Sequence, residues 1–217
     1  MAELMPGRSL RIGIGQRHWP AETRAFDRDG LDSAWANWLT TQWPTNSFIA
    51  LPNFQDPSQL LSYVEHWQLN AFILSGGGDA RLSARRAANE AALLDHAEQH
   101  RLPVLGVCRG MQVLHQRSGG TLCALKGHVR SVHPVHGPDV NTHVNSWHDF
   151  GIEVLTPSWE ALARASDGSV EAMRHRCLPW LGLMWHPERD HGDSPVIWPW
   201  IAQAFSLAPD FFQGTSI

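Results

Sequence analysis

Short apolar runs bounded by turn residues recur along the chain: Leu10 to Ile14, Phe48 to Leu51, Ala71 to Leu74, Val104 to Val107 and Leu181 to Trp185. Continuous apolar runs of this length fit strands buried on both faces. Between them lie stretches with helical spacing, Leu31 to Leu39, Pro57 to Trp67 and Ser83 to His100, the last rich in alanine, leucine and glutamate, all good helix formers. Strand alternating with helix predicts a mostly parallel sheet with helices on both faces. Another helix starts near Arg109, after which the pattern changes. From Val129 to Gly168, prolines, glycines and short strands predict an antiparallel β region appended to the sheet, with a helix only at Ser158 to Ala165. Pro195 to Leu207 reads as a closing helix with its proline near the first turn. The expected fold class is α/β. With no repeat, low-complexity tract or linker, residues 1–217 read as one domain.

Composition narrows the function classes. With 43% hydrophobic and 18% charged residues the chain fits an ordinary globular protein. A formal charge of −4 and the absence of a basic run give no footprint for a nucleic-acid backbone. No apolar run approaches the ~20 residues of a membrane span, and no export signal opens the chain. A small-molecule partner and a cytoplasmic location are therefore expected. Trp35, Trp38 and Trp43 belong to a tryptophan-rich segment that fits either an interface, in which case the chain is oligomeric, or the rim of the fold. Three cysteines, an odd number, argue against a disulfide framework. Cys123 and Cys177 read as reduced packing thiols.

Cys108 stands apart. In Val104-Leu105-Gly106-Val107-Cys108-Arg109-Gly110-Met111-Gln112 an apolar strand runs into a helix with the cysteine at the junction, in the form G-x-C-x-G. This is the cysteine counterpart of a nucleophile elbow, whose tight turn needs small residues two positions either side of the nucleophile. A cysteine there also faces the positive end of the helix, which favours the thiolate.

A base is at hand in His186-Pro187-Glu188, directly after the last apolar run. In an extended segment, residues two apart project to the same side, so Glu188 can hold one ring nitrogen of His186 while the other faces the sulfur. The glycine run Ser75-Gly76-Gly77-Gly78-Asp79 at the end of another strand offers backbone that a substrate can approach closely. An amide of Gly76 or Gly77, paired with that of Arg109, makes an expected oxyanion hole. His128, His133, His136, His143 and His148 crowd one region, but their spacing matches no compact zinc signature, so neither a metal nor another cofactor is expected.

Taken together, G-x-C-x-G-x-Q followed much later by H-P-E resembles the class I glutamine amidotransferase-like superfamily. The resemblance spans nearly the whole chain in order and implies a flavodoxin-like core and catalysis through a γ-glutamyl thioester, with Cys108, His186 and Glu188 as the triad. Within it, Val144-Asn145-Ser146-Trp147-His148 is similar to the γ-glutamyl hydrolase branch. Gly15-Gln16-Arg17, the Asp-rich approach to the first helix, and the segment continuing to Asp149-Phe150 resemble the γ-glutamyl-CDP-amidate hydrolases of capsule phosphoramidate synthesis. This implies a γ-glutamyl substrate linked to a nucleotide, with Gln112, Asn145 and Ser146 around the glutamyl group. His148 either touches substrate or braces its loop. Arg17 either forks onto a diphosphate or is a surface arginine. γ-Glutamyl-γ-aminobutyrate hydrolysis, a glutaminase subunit serving a separate synthase, and a silent binding protein are the alternatives.

Overall fold

The computed structural model describes residues 10–21, 26–78, 83–189 and 197–206. Strands β1 (Arg11–Gly15), β4 (Ser47–Leu51), β5 (Ala71–Leu74), β6 (Val104–Val107) and β13 (Trp180–Leu183) pair in parallel in the order β4-β1-β5-β6-β13. The sheet then continues antiparallel through β12 (Val170–His175), β11 (Trp159–Ala165), β8 (Val129–Gly137) and β9 (Val140–Trp147), giving nine strands in all. Two short antiparallel pairs lie outside it: β2 (Arg17–Trp19) with β3 (Arg28–Gly30), and β7 (Cys123–Ala124) with β10 (Phe150–Gly151).

Burial explains the apolar runs. All four residues of β5, of β6 and of β13 are buried, because helices cover both faces. On one side α1 (Ala34–Gln42) and α5 (Ile197–Ser206) pack against Ile12, Ile14, Ile73, Leu105, Val107 and Leu183. On the other, α2 (Pro57–His66), α3 (Ala84–Gln99) and α4 (Arg109–Arg117) pack against Phe72, Leu74 and Val104. The starts of α2 and α3 are set locally. The Asp56 carboxylate accepts from the Ser58 amide with Pro57 in the first turn, and the Ser83 hydroxyl accepts from the Arg86 amide.

Several expectations change. Trp159-Glu160-Ala161-Leu162-Ala163-Arg164-Ala165 is a strand and not a helix, because its place between β12 and β8 outweighs the helix propensity of its alanines and leucine. The pairs β2/β3 and β7/β10, and strand β12, went unread. Trp35, Trp38 and Trp43 are buried in one aromatic cluster, Trp35 edge-on to Trp38, Trp38 stacked on Trp198, and Trp43 against Trp198 and Phe205, so they are core and neither rim nor interface. Cys177 is exposed and so is no packing thiol; all three cysteines are free. Asp79, Pro195 and Leu207 lie outside the described residues. No helix among those described is long and apolar enough to cross a membrane.

Candidate active site

Four strand ends deliver the expected chemistry to one edge. The C-terminal ends of β1, β5, β6 and β13 lead into Arg17, Gly76, Cys108 and His186. In parallel sheets this edge is where ligands bind.

At the end of β6, Cys108 adopts φ 50° and ψ −104°, a strained backbone for a residue with a side chain. Its amide donates to Leu183 O of β13 (2.7 Å), and its carbonyl accepts from Gln112 N at the start of α4. The flanking glycines are sterically required. A Cβ on Gly106 would stand 2.7 Å from the Gly110 backbone, and one on Gly110 would strike the Leu74 carbonyl. The strained turn is held because helix and sheet approach too closely to allow any other residue.

His186 follows β13 and its Nδ1 meets Glu188 Oε1 at 2.6 Å. The contact is made differently from the extended geometry read in the sequence. Residues Pro187–Arg189 form one turn of 3₁₀ helix, closed by Arg189 N donating to His186 O. Proline's fixed φ suits the first position of such a turn. Burial alone would lower the basicity of His186, but Cys108 and then Glu188 outweigh it and push the imidazole up to about 9. This favours the cationic ring at neutral pH, placed between a sulfur and a carboxylate.

Gly76 closes the space in front of the pair: a Cβ there would lie 2.5 Å from His186 Cε1 and 3.4 Å from Cys108 Cβ. Gly77 and Gly78 both have positive φ, and the Arg17 side chain runs alongside them, with its guanidinium 4.9 Å from the Trp19 ring centroid. The run is held from behind by a network absent from the sequence reading. Arg86 donates to Gly77 O and Ser75 O (2.7 Å each) and to Glu90 Oε1 (2.8 Å), and Glu90 in turn receives Arg109 Nη1. Burial presses the Arg86 guanidinium down to about 10, still charged at neutral pH. Arg86 and Glu90 are four apart on α3 and face inward; charged residues on the buried side of a helix are the signal that would have found them.

The expected glutamyl-pocket residues divide. Gln112 on α4 donates to Phe150 O (2.8 Å). Asn145 is committed to the backbone of His186: Nδ2 donates to His186 O (2.8 Å) and Oδ1 accepts from His186 N (3.1 Å). Its amide positions the histidine. Ser146 is fully buried, and its hydroxyl donates to His128 O (2.6 Å). His148 is buried as well, with Nδ1 toward Phe150 O and Nε2 toward Glu171. Ser146 was expected at the substrate, but the inward alternation of β9 turns it into the fold; His148, just beyond β9, was open between touching substrate and bracing its loop, and it is buried against Phe150 O and Glu171. Glu171 of β12, unremarked in the sequence, sits among His128, His133 and His148. Burial alone would raise its carboxyl, but these imidazoles hold it ionised below the usual carboxylate range. His128 is in turn raised, chiefly by Glu171. His128, His148 and Glu171 are the group among the described residues arranged to hold a metal ion.

The sequence signature described as "Glutamine amidotransferase class-I" matches residues 47–196. The chain belongs to the class I glutamine amidotransferase family. It is 32% identical over 187 residues to the gamma-glutamyl-CDP-amidate hydrolase of Campylobacter jejuni, covering 83% of this chain and 91% of that protein. With one subunit of the glutamine-hydrolyzing GMP synthase of Thermococcus kodakarensis it shares 29% identity over 140 residues, covering 60% of this chain and 72% of that one. Among solved structures, a glutamine amidotransferase from Thermotoga maritima has the same family fold, with a TM-score of 0.60 at 17% identity over 84% of this chain and 77% of that one.

Proposed function

We propose that the chain is a cysteine-dependent γ-glutamyl hydrolase acting on γ-glutamyl-CDP-amidate, with Cys108, His186 and Glu188 as its triad. The observation that carries this reading is the buried His186 ring, bonded to Glu188 at 2.6 Å and raised to about 9 beside Cys108. The thiolate attacks the γ-carbonyl, forming a C–S bond, and the oxyanion is received by amides of Gly76 or Gly77 and of Arg109. As the C–N bond breaks, His186 gives its proton to the departing nitrogen, releasing cytidine diphosphoramidate. Neutral His186 then takes a proton from water, whose oxygen attacks the thioester carbon; glutamate leaves and the thiolate returns. The reaction needs no cofactor.

The nucleotide-linked substrate is supported by the likeness to the Campylobacter jejuni enzyme and by Arg17, a forked cation beside the glycine run where the leaving group would lie. The likeness to GMP synthase subunits supports a second reading, a glutaminase serving a synthase partner. Glutamate release from glutamine, γ-glutamyl-γ-aminobutyrate and γ-glutamyl-CDP-amidate separates them. The expected result is a clear preference for the nucleotide compound and a loss on the order of 10⁴-fold or more in Cys108→Ala, with binding retained. Preference for the aminobutyrate compound would change the substrate and keep the triad. Slow release from glutamine alone would favour the glutaminase, and full activity in the variant would remove Cys108 from the mechanism.

A further inference from the structure

Behind β9, on the antiparallel side of the sheet, Glu171 is 0% exposed, yet neither carboxylate oxygen receives a hydrogen bond among the described residues. Three ring nitrogens face it. His128 Nδ1 and His148 Nε2 lie 3.5 Å from Oε1, and His133 Nε2 lies 3.5 Å from Oε2. None of the three nitrogens has a hydrogen-bond partner among the described residues. A buried carboxylate without partners is strongly unfavourable, so this arrangement needs positive charge at its centre.

The far nitrogens decide what kind. His128 Nε2 is 2.8 Å from Asp167 Oδ2, and His148 Nδ1 is 3.1 Å from Phe150 O. Both partners are acceptors, so each far nitrogen carries the proton, and in a neutral ring the near nitrogen then presents a lone pair to Glu171. Bridging by protons alone requires doubly protonated rings packed together, with centroids 4.6 Å apart for His128 and His133 and 4.9 Å for His128 and His148. Contacts of 3.5 Å are also long for charge-assisted hydrogen bonds. They do match the edge of a tetrahedron around zinc, about 3.4 Å for bonds of about 2.05 Å. The donor atoms of His128, His148 and Glu171 lie within 4.8 Å of one another. Asp167 and the Phe150 carbonyl are the outer partners that fix the rings of metal-bound histidines.

We propose that His128, His148 and Glu171 bind a divalent transition metal, zinc by its preference for imidazole with one carboxylate. All three donor residues are buried, at 5%, 3% and 0% exposure, so the metal is structural. It ties β8, β9 and β12 together behind Asn145. The sequence spacing spoke against a metal because His128 lies just before β8, His148 just after β9 and Glu171 on β12, the carboxylate 23 residues beyond His148.

The test is zinc content by mass spectrometry of protein made without a histidine tag, equilibrated with zinc chloride and gel-filtered. About one zinc per chain is expected in the wild type, with at least a ten-fold loss in Glu171→Gln and in His148→Ala, judged folded by circular dichroism. Should the variants fail to fold, stripped wild-type protein titrated with cobalt(II) chloride decides, since four-coordinate cobalt gives intense visible bands that saturate at one equivalent. Absence of retained zinc and of those bands in the wild type would overturn the proposal. So would zinc held equally by folded Glu171→Gln.

Discussion

The two halves of the sheet make chemistry in different ways. In the parallel half, β4 to β13, strand ends stop along one edge, and what they offer there is largely backbone: the strained turn at Cys108, the glycine run after β5 and the first amides of α4. In the antiparallel half, β12 to β9, the groups that matter are side chains standing on a face, with Glu171 at the centre of three imidazoles and Asn145 reaching across to His186. Backbone chemistry is placed by chain direction. Face chemistry is placed by the pairing of strands distant in sequence; on the proposed mechanism the first half holds the reacting groups and the second holds them still.

The largest effect that would sharpen this contrast is at Glu188. Glu188→Gln keeps shape but removes the charge supporting His186⁺, and a fall in kcat of about 10²- to 10⁴-fold in glutamate release is expected; a loss below about three-fold would leave the carboxylate without a catalytic part. Next comes Asn145→Ala, in the other half. If Asn145 acts only by pinning His186, kcat falls about 10- to 100-fold with KM little changed; a higher KM at unchanged kcat would return Asn145 to the glutamyl pocket and blur the division. The smallest effect is in stability against pH. His186 is raised in the folded chain to about 9 from about 6.5 unfolded. Its contribution is fully present below about 6.5 and lost as pH rises through about 9, so the melting temperature should fall across that window. In Cys108→Ala that fall should shrink, and an unchanged slope would dissociate the sulfur from the imidazole's charge.

What could be read in the sequence follows the same division. β5 and β6 announce themselves as unbroken apolar runs because both faces are covered, and Cys108 with its glycines and His186 with Glu188 are local constellations whose spacing carries their chemistry. The turn at Pro187 was misread as extended, yet the pair still meets, since two residues apart is close in either form. Trp159 to Ala165 was legible as helix only because its residues favour one; the partners that make it a strand lie elsewhere in the chain. Ser146 was placed at the substrate from its motif and His148 was left open between substrate and loop; nothing local reveals that Ser146 turns inward onto the His128 carbonyl and His148 onto Glu171. Arg86 and Glu90 went unread, because the glycine run that rests on Arg86 lies on a separate element.

That buried pair of arginines around Glu90 has a consequence for anyone breeding a hardier form of this protein. Charges taken out of water are costly, and well-packed apolar replacements of a buried ionic trio commonly raise melting temperature. A screen rewarding heat resistance alone would therefore be drawn to Arg86, Glu90 and Arg109. Its winners would lose the hands that hold back the Ser75 and Gly77 carbonyls, trading function for toughness.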